Sequence, residues 1–91
     1  MNLRIEPDAY SDMQEIFDWY HSKSAKAANK FRVLLKENLS FIKDNPYSSV
    51  KLSGLRRKRM IGFPYMIYYS ISNDYVNIIA VLHNSRKVIV N

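Results

Sequence analysis

Tyr65-Met66-Ile67-Tyr68-Tyr69-Ser70-Ile71-Ser72-Asn73-Asp74-Tyr75-Val76-Asn77-Ile78-Ile79-Ala80-Val81-Leu82-His83 is the stretch that decides the fold. In Met66–Ile71, Ile67, Tyr69 and Ile71 fall on one face and Met66, Tyr68 and Ser70 on the other. That two-residue period predicts a strand. Ser72-Asn73-Asp74 has the chemistry of a turn. Tyr75–His83 is nearly continuously apolar through Val76, Ile78, Ile79, Ala80, Val81 and Leu82. Such a run predicts a second strand placed centrally in the sheet.

Working back towards the N-terminus, Gly62-Phe63-Pro64 is a connection, and Arg56–Ile61 is a further strand. Pro46–Gly54 is irregular, with a short extended piece near Val50–Leu52. Before it the period changes to that of a helix. Ala28, Phe31, Leu35, Leu39 and Ile42 recur three or four apart, the stripe of an amphipathic helix. Ser24 is suited to cap its start. Asn45-Pro46 ends it, because a residue before proline avoids the α region. Ala9, Met13, Ile16, Phe17 and Tyr20 make a similar face over roughly residues 7–21. Pro7 fits the first turn of that helix, and Asp8 and Asp12 favour its positive end. Trp19 lies off this stripe, at the joint of the hairpin or in an interface. Asn2–Glu6 alternates as a short strand whose pairing the sequence leaves open. The order is β-α-α-β-β-β. The expectation is an α+β fold, with a helical hairpin packed on one face of a mostly antiparallel sheet.

A chain of 91 residues supports one domain, spanning 1–91, with a modest core. It is 47% hydrophobic and 24% charged, which is ordinary globular usage. There is no cysteine, hence no disulfide framework and no thiolate chemistry. Met1 leads into no apolar signal segment. No apolar run approaches the roughly 18 residues of a membrane helix. These features predict a cytoplasmic protein.

The net charge of +6 is unevenly placed. Seven Lys and Arg among residues 1–45 balance seven Asp and Glu. Residues 46–91 hold Lys51, Arg56, Arg57, Lys58, Arg59, Arg86 and Lys87 against Asp74 alone. A one-sided field attracts a polyanion or an acidic partner, although a charged run is often only a solvated face. On a strand, Arg57 and Arg59 share one face and Arg56 and Lys58 the other. At least one pair must therefore meet solvent or a partner. Arginines of this kind suit phosphate binding as well as an acidic protein ligand.

Little else points to chemistry. The two glycines form no phosphate loop. His21 and His83 have no carboxylate at ligand spacing, so no metal and no cofactor are expected. His21 lies near a helix C-terminus, where the dipole accounts for it. The tyrosines admit a base-stacking reading. Tyr65, Tyr68 and Tyr69 are equally strand residues that bury in a core. Tyr69 is read as core, and Tyr68 stands between the two readings.

Lys51-Leu52-Ser53-Gly54-Leu55-Arg56-Arg57, then Phe63-Pro64-Tyr65-Met66-Ile67-Tyr68-Tyr69, then Ile78-Ile79-Ala80-Val81-Leu82-His83-Asn84-Ser85-Arg86 resembles the RelE/ParE toxin superfamily. The resemblance runs over essentially the whole chain. It implies the toxin of a type II toxin–antitoxin module, of the kind linked to plasmid stabilisation, neutralised by a small cognate antitoxin. RelE-like members cut mRNA on the ribosome without a metal, whereas ParE-like members poison DNA gyrase. By resemblance, Arg57, Arg59 and Arg86 match basic positions of the nucleases, and His83 could titrate beside them. A further arginine of those enzymes is matched here by Met66. Their C-terminal Tyr or His has no counterpart, since the tail Val88-Ile89-Val90-Asn91 carries no titratable side chain.

The ParE-like reading is therefore favoured, with no catalytic residue assigned. The balance is against an enzyme. The alternatives are a metal-independent endoribonuclease using Arg57, Arg59 and Arg86, or an antitoxin-binding module that has lost activity. Under any of the three, Lys51, Arg56, Arg57, Lys58, Arg59, Arg86 and Lys87 are the expected partner- or nucleic-acid-binding residues.

Overall fold

The computed structural model describes residues 1–85; Arg86, Lys87 and the rest of the tail lie outside the described residues. In chain order the elements are β1 (Asn2–Ile5), α1 (Pro7–Lys23), α2 (Ala25–Asp44), β2 (Lys51–Leu52), β3 (Leu55–Arg59), β4 (Tyr65–Ser72) and β5 (Tyr75–His83). The expected order holds, and the short extended piece after Pro46 is the edge strand β2. The five strands form one sheet in the order β1-β5-β4-β3-β2. Every neighbouring pair is antiparallel except β1, which runs parallel to β5 with Leu3 opposite Val76 and Ile5 opposite Ile78.

The hairpin turns at a single residue. Ser24 adopts φ −166°, ψ 122°, which interrupts the helical path between α1 and α2. Its N–H donates to the Tyr20 carbonyl at 2.8 Å. Its hydroxyl accepts from the Ala27 N–H at 3.2 Å. One serine thus ends one helix and caps the next. With so short a joint the helices fold back on each other, and Tyr20 stacks on Phe31 with ring centres 5.8 Å apart.

The helical layer covers one face of the sheet. Phe31, Ile42, Ile67, Tyr69, Val76 and Ile78 are all at most 1% exposed and form the centre of the core. Burying each such side chain contributes about 1.5–3 kcal/mol. The stripe read from the sequence in α2 is the buried one, without exception. The Tyr69 hydroxyl donates to the Pro46 carbonyl at 2.8 Å, so the buried phenol keeps a partner and ties the α2–β2 loop to the core. Among the described residues, no helix is long and apolar enough to cross a membrane.

β4, not β5, is the middle strand; β5 is second from the edge, flanked by β1 and β4. Its continuous apolar run has a second cause. Tyr68 pairs with Ala80 while Tyr69 pairs with Ile78, so Ile79 is an extra residue in the ladder. Such a bulge shifts the alternation by one residue. Val76 and Ile78 face the helices before it, and Val81 does so after it.

Candidate partner-binding face

The register of β3 sorts the basic run. Arg56 lies opposite Tyr69 and Lys58 opposite Ile67, both core residues. Cross-strand partners share a face, so Arg56 and Lys58 point to the helical side. Arg57 lies opposite Tyr68 and Arg59 opposite Met66, so these two point to the uncovered face. The expected division into two pairs holds, and the structure shows how unlike the pairs are.

The inner pair is engaged within the molecule. Lys58 Nζ donates to Asn38 Oδ1 at 3.0 Å and sits 5.2 Å from the Phe41 ring centre. Arg56 donates to the Ser49 carbonyl at 2.8 Å, and its guanidinium lies 5.2 Å from the Tyr47 ring centre. These cations hold α2 and the following loop against the sheet. Lys51 lies opposite Arg56 on the edge strand and shares its face. Of the expected binding residues among those described, only Arg57 and Arg59 are exposed on the uncovered face. Arg86 and Lys87 lie outside the described residues.

Around these two arginines the uncovered face is largely apolar. Leu55 precedes Arg57 on the same side of β3. Met66 lies between Arg59 and Leu82. Tyr68 lies between Arg57 and Ala80 and is 7% exposed. It is thus buried, although it faces away from the helices. A depression of about 390 Å³ beside it is lined by Asp8, Ser11 and Asp12 of α1 together with Leu55, Tyr68, Ile79 and Ala80. The face therefore has Arg57 and Arg59 on the β3 side, and the carboxylates of α1 beside β5.

The sequence reading passed over two of its members. Arg4 lies opposite Asn77 in the parallel pair, on the face opposite Leu3, which packs against the core. Its guanidinium sits 4.0 Å from the Tyr75 ring centre. The alternation of Asn2–Glu6 contained that placement, once the partner strand is known. In sequence, Asp12 reads only as a favourable charge at a helix start. Its carboxylate accepts the backbone N–H of Val81 at 3.0 Å, a link that no local pattern announces.

His83 is not on the uncovered face. It pairs with Tyr65, and the two rings meet edge-on at 5.6 Å. Its Nδ1 accepts the Ser85 backbone N–H at 3.2 Å, so the ring shapes the turn that leaves β5. Tyr65 sits against Tyr20, Phe31 and His83. Burial, then its hydrogen bond and charge interaction with Tyr20, push its phenol well above the ordinary range. Neither side chain lies beside Arg57 and Arg59, so the structure does not bring His83 together with the arginine pair.

The fold is similar to that of a chain from the chromosomal ParDE toxin–antitoxin system of P. aeruginosa, with a TM-score of 0.78 and 17% identity over 91% of this chain and 95% of that one. This defines the architecture as the α+β domain of the RelE/ParE type. The model of the family described as the ParE toxin of type II toxin–antitoxin systems, parDE, matches residues 3–88. The chain belongs to that family. No curated protein sequence matches it.

Proposed function

We propose that this toxin acts on a protein target, DNA gyrase, in the cytoplasm, and that its uncovered sheet face is the surface that meets the target. The observation that carries the reading is Met66. It stands on that face between Arg59 and Leu82, where the nuclease reading needs a further cation. Cleavage of a phosphodiester builds charge on the phosphorus-bound oxygens, and catalysis requires donors converging on it. Here two arginines stand on one strand, a thioether lies beside them, and Asp8 and Asp12 line the adjoining depression. Carboxylates so placed oppose a polyanion. An apolar surface with arginine at its rim suits a protein partner. Gyrase enters through the family resemblance. The cognate antitoxin follows from membership of a type II system.

The test is purified toxin with purified gyrase and plasmid. Accumulation of cleaved DNA–gyrase complexes, lost in the Arg57→Glu/Arg59→Glu double variant, is the expected result. Undisturbed supercoiling at micromolar toxin would defeat the proposal. A second reading, ribosome-dependent mRNA cleavage, draws support from Arg57 and Arg59 sharing one face. It predicts codon-phased cuts in translated mRNA that vanish with the same double variant.

A further inference from the structure

Along its outer edge β5 is paired by β1 only as far as Ile78. β1 pairs with Tyr75–Ile78, and the Glu6 N–H closes that ladder on the Ile78 carbonyl at 2.9 Å. Beyond this point the Val81 N–H turns outward and is met by the Asp12 carboxylate. A side chain thus satisfies a donor that a neighbouring strand would otherwise take. In an antiparallel ladder the N–H and C=O of one residue point the same way. The Val81 carbonyl therefore faces the same edge, but with Val81 only 2% exposed this edge is closed to a further strand.

Alongside this edge runs a groove of about 540 Å³, whose lining includes Asp12, Glu15, Trp19, Tyr20, Tyr65 and His83. Its walls are aromatic. Tyr20 stands edge-on to Trp19 at 4.9 Å and to Tyr65 at 6.3 Å. Trp19 is 56% exposed. Its ring already attracts a cation, since Lys23 Nζ lies 5.5 Å from its centre. Asp12 and Glu15, one helical turn apart on α1, bring two carboxylates to the same place in a chain of net charge +6.

We propose that this groove receives an arginine or lysine side chain presented by a protein partner. Aromatic faces and carboxylates both stabilise a guanidinium or ammonium group, and both repel an anion. The groove and the Arg57–Arg59 rim of the uncovered face thus favour opposite charges, so one protein can hold two different ligands at once. The proposal rests on the reading of this chain as a toxin that works by binding proteins.

Trp19 is the sole tryptophan, so its emission reports on this groove alone. The probe is a short capped peptide with arginine between two valines. Its titration should change Trp19 fluorescence, and replacing the arginine by citrulline should weaken binding about tenfold or more. Glu15→Gln should weaken the arginine peptide similarly, while Glu37→Gln, on α2, should leave it unchanged. Equal affinity for the citrulline or a glutamate peptide, or no response of Trp19, would overturn the proposal. Growth inhibition and its rescue by antitoxin are scored separately. Inhibition with an inert peptide sinks the groove and leaves the toxin reading standing. A bound peptide on a protein that inhibits nothing does the reverse.

Discussion

Single residues in this fold carry costs that can be stated in advance. Gly62, between β3 and β4, has φ +92°, and an added Cβ would lie 2.9 Å from Leu34 Cδ1. The leucine tip can move aside, but the backbone conformation cannot be kept cheaply. Gly62→Ala should lower stability by about 1–3 kcal/mol, read from the urea midpoint. Tyr65 sets a pH limit. Its folded phenol resists ionisation, while in the unfolded chain it ionises near the ordinary value of 10.0. Its contribution to stability is therefore complete below that pH and is lost as pH rises above it. Tyr65→Phe should flatten the alkaline limb of a stability–pH profile.

At the scale of elements, the joint and the basic strand offer the clearest tests. Ser24→Ala removes the cap of α2 and should cost about 1 kcal/mol. Lys58 and Arg57 are neighbours in sequence with opposite tasks. Lys58→Ala leaves the buried Asn38 without its cation and should cost about 1–2 kcal/mol. Arg57→Ala and Arg59→Ala, both at exposed positions, should stay within about 0.5 kcal/mol of the parent. Thermal melts of the variants decide this. A loss of stability in the outer pair equal to that of Lys58→Ala would mean that the division of roles is wrong.

The elements also show what was legible in the sequence. The α2 stripe and the β4 alternation could be read because each face meets one environment along its whole length. The split of Arg56–Arg59 followed from strand period alone, but which pair faced inward did not. That depends on the register with β4, set by contacts beyond any local pattern. β5 was legible as a strand but misplaced to the centre, because the Ile79 bulge breaks the alternation that would mark its two faces. The partner of β1 lies almost a whole chain length away, and parallel pairing leaves no turn signal between them. The Asp12–Val81 link is of the same non-local kind.

Over the whole molecule, charge is divided by structure as well as by sequence. The C-terminal half holds the excess of cations, yet half of the Arg56–Arg59 run serves the interior. What remains outward is an apolar face edged by Arg57 and Arg59, while the carboxylates of α1 gather at the far edge of β5. On the proposed reading this arrangement serves protein binding, with Met66 at the position where the nuclease reading needs a further cation. The most direct test adds the purified toxin to gyrase and relaxed plasmid, with no ribosome present. The account predicts trapped, cleaved DNA at micromolar toxin, abolished by Arg57→Glu/Arg59→Glu and retained in Glu15→Gln. Normal supercoiling in that reaction, with codon-phased mRNA cleavage by the same preparation on translating ribosomes, would contradict it.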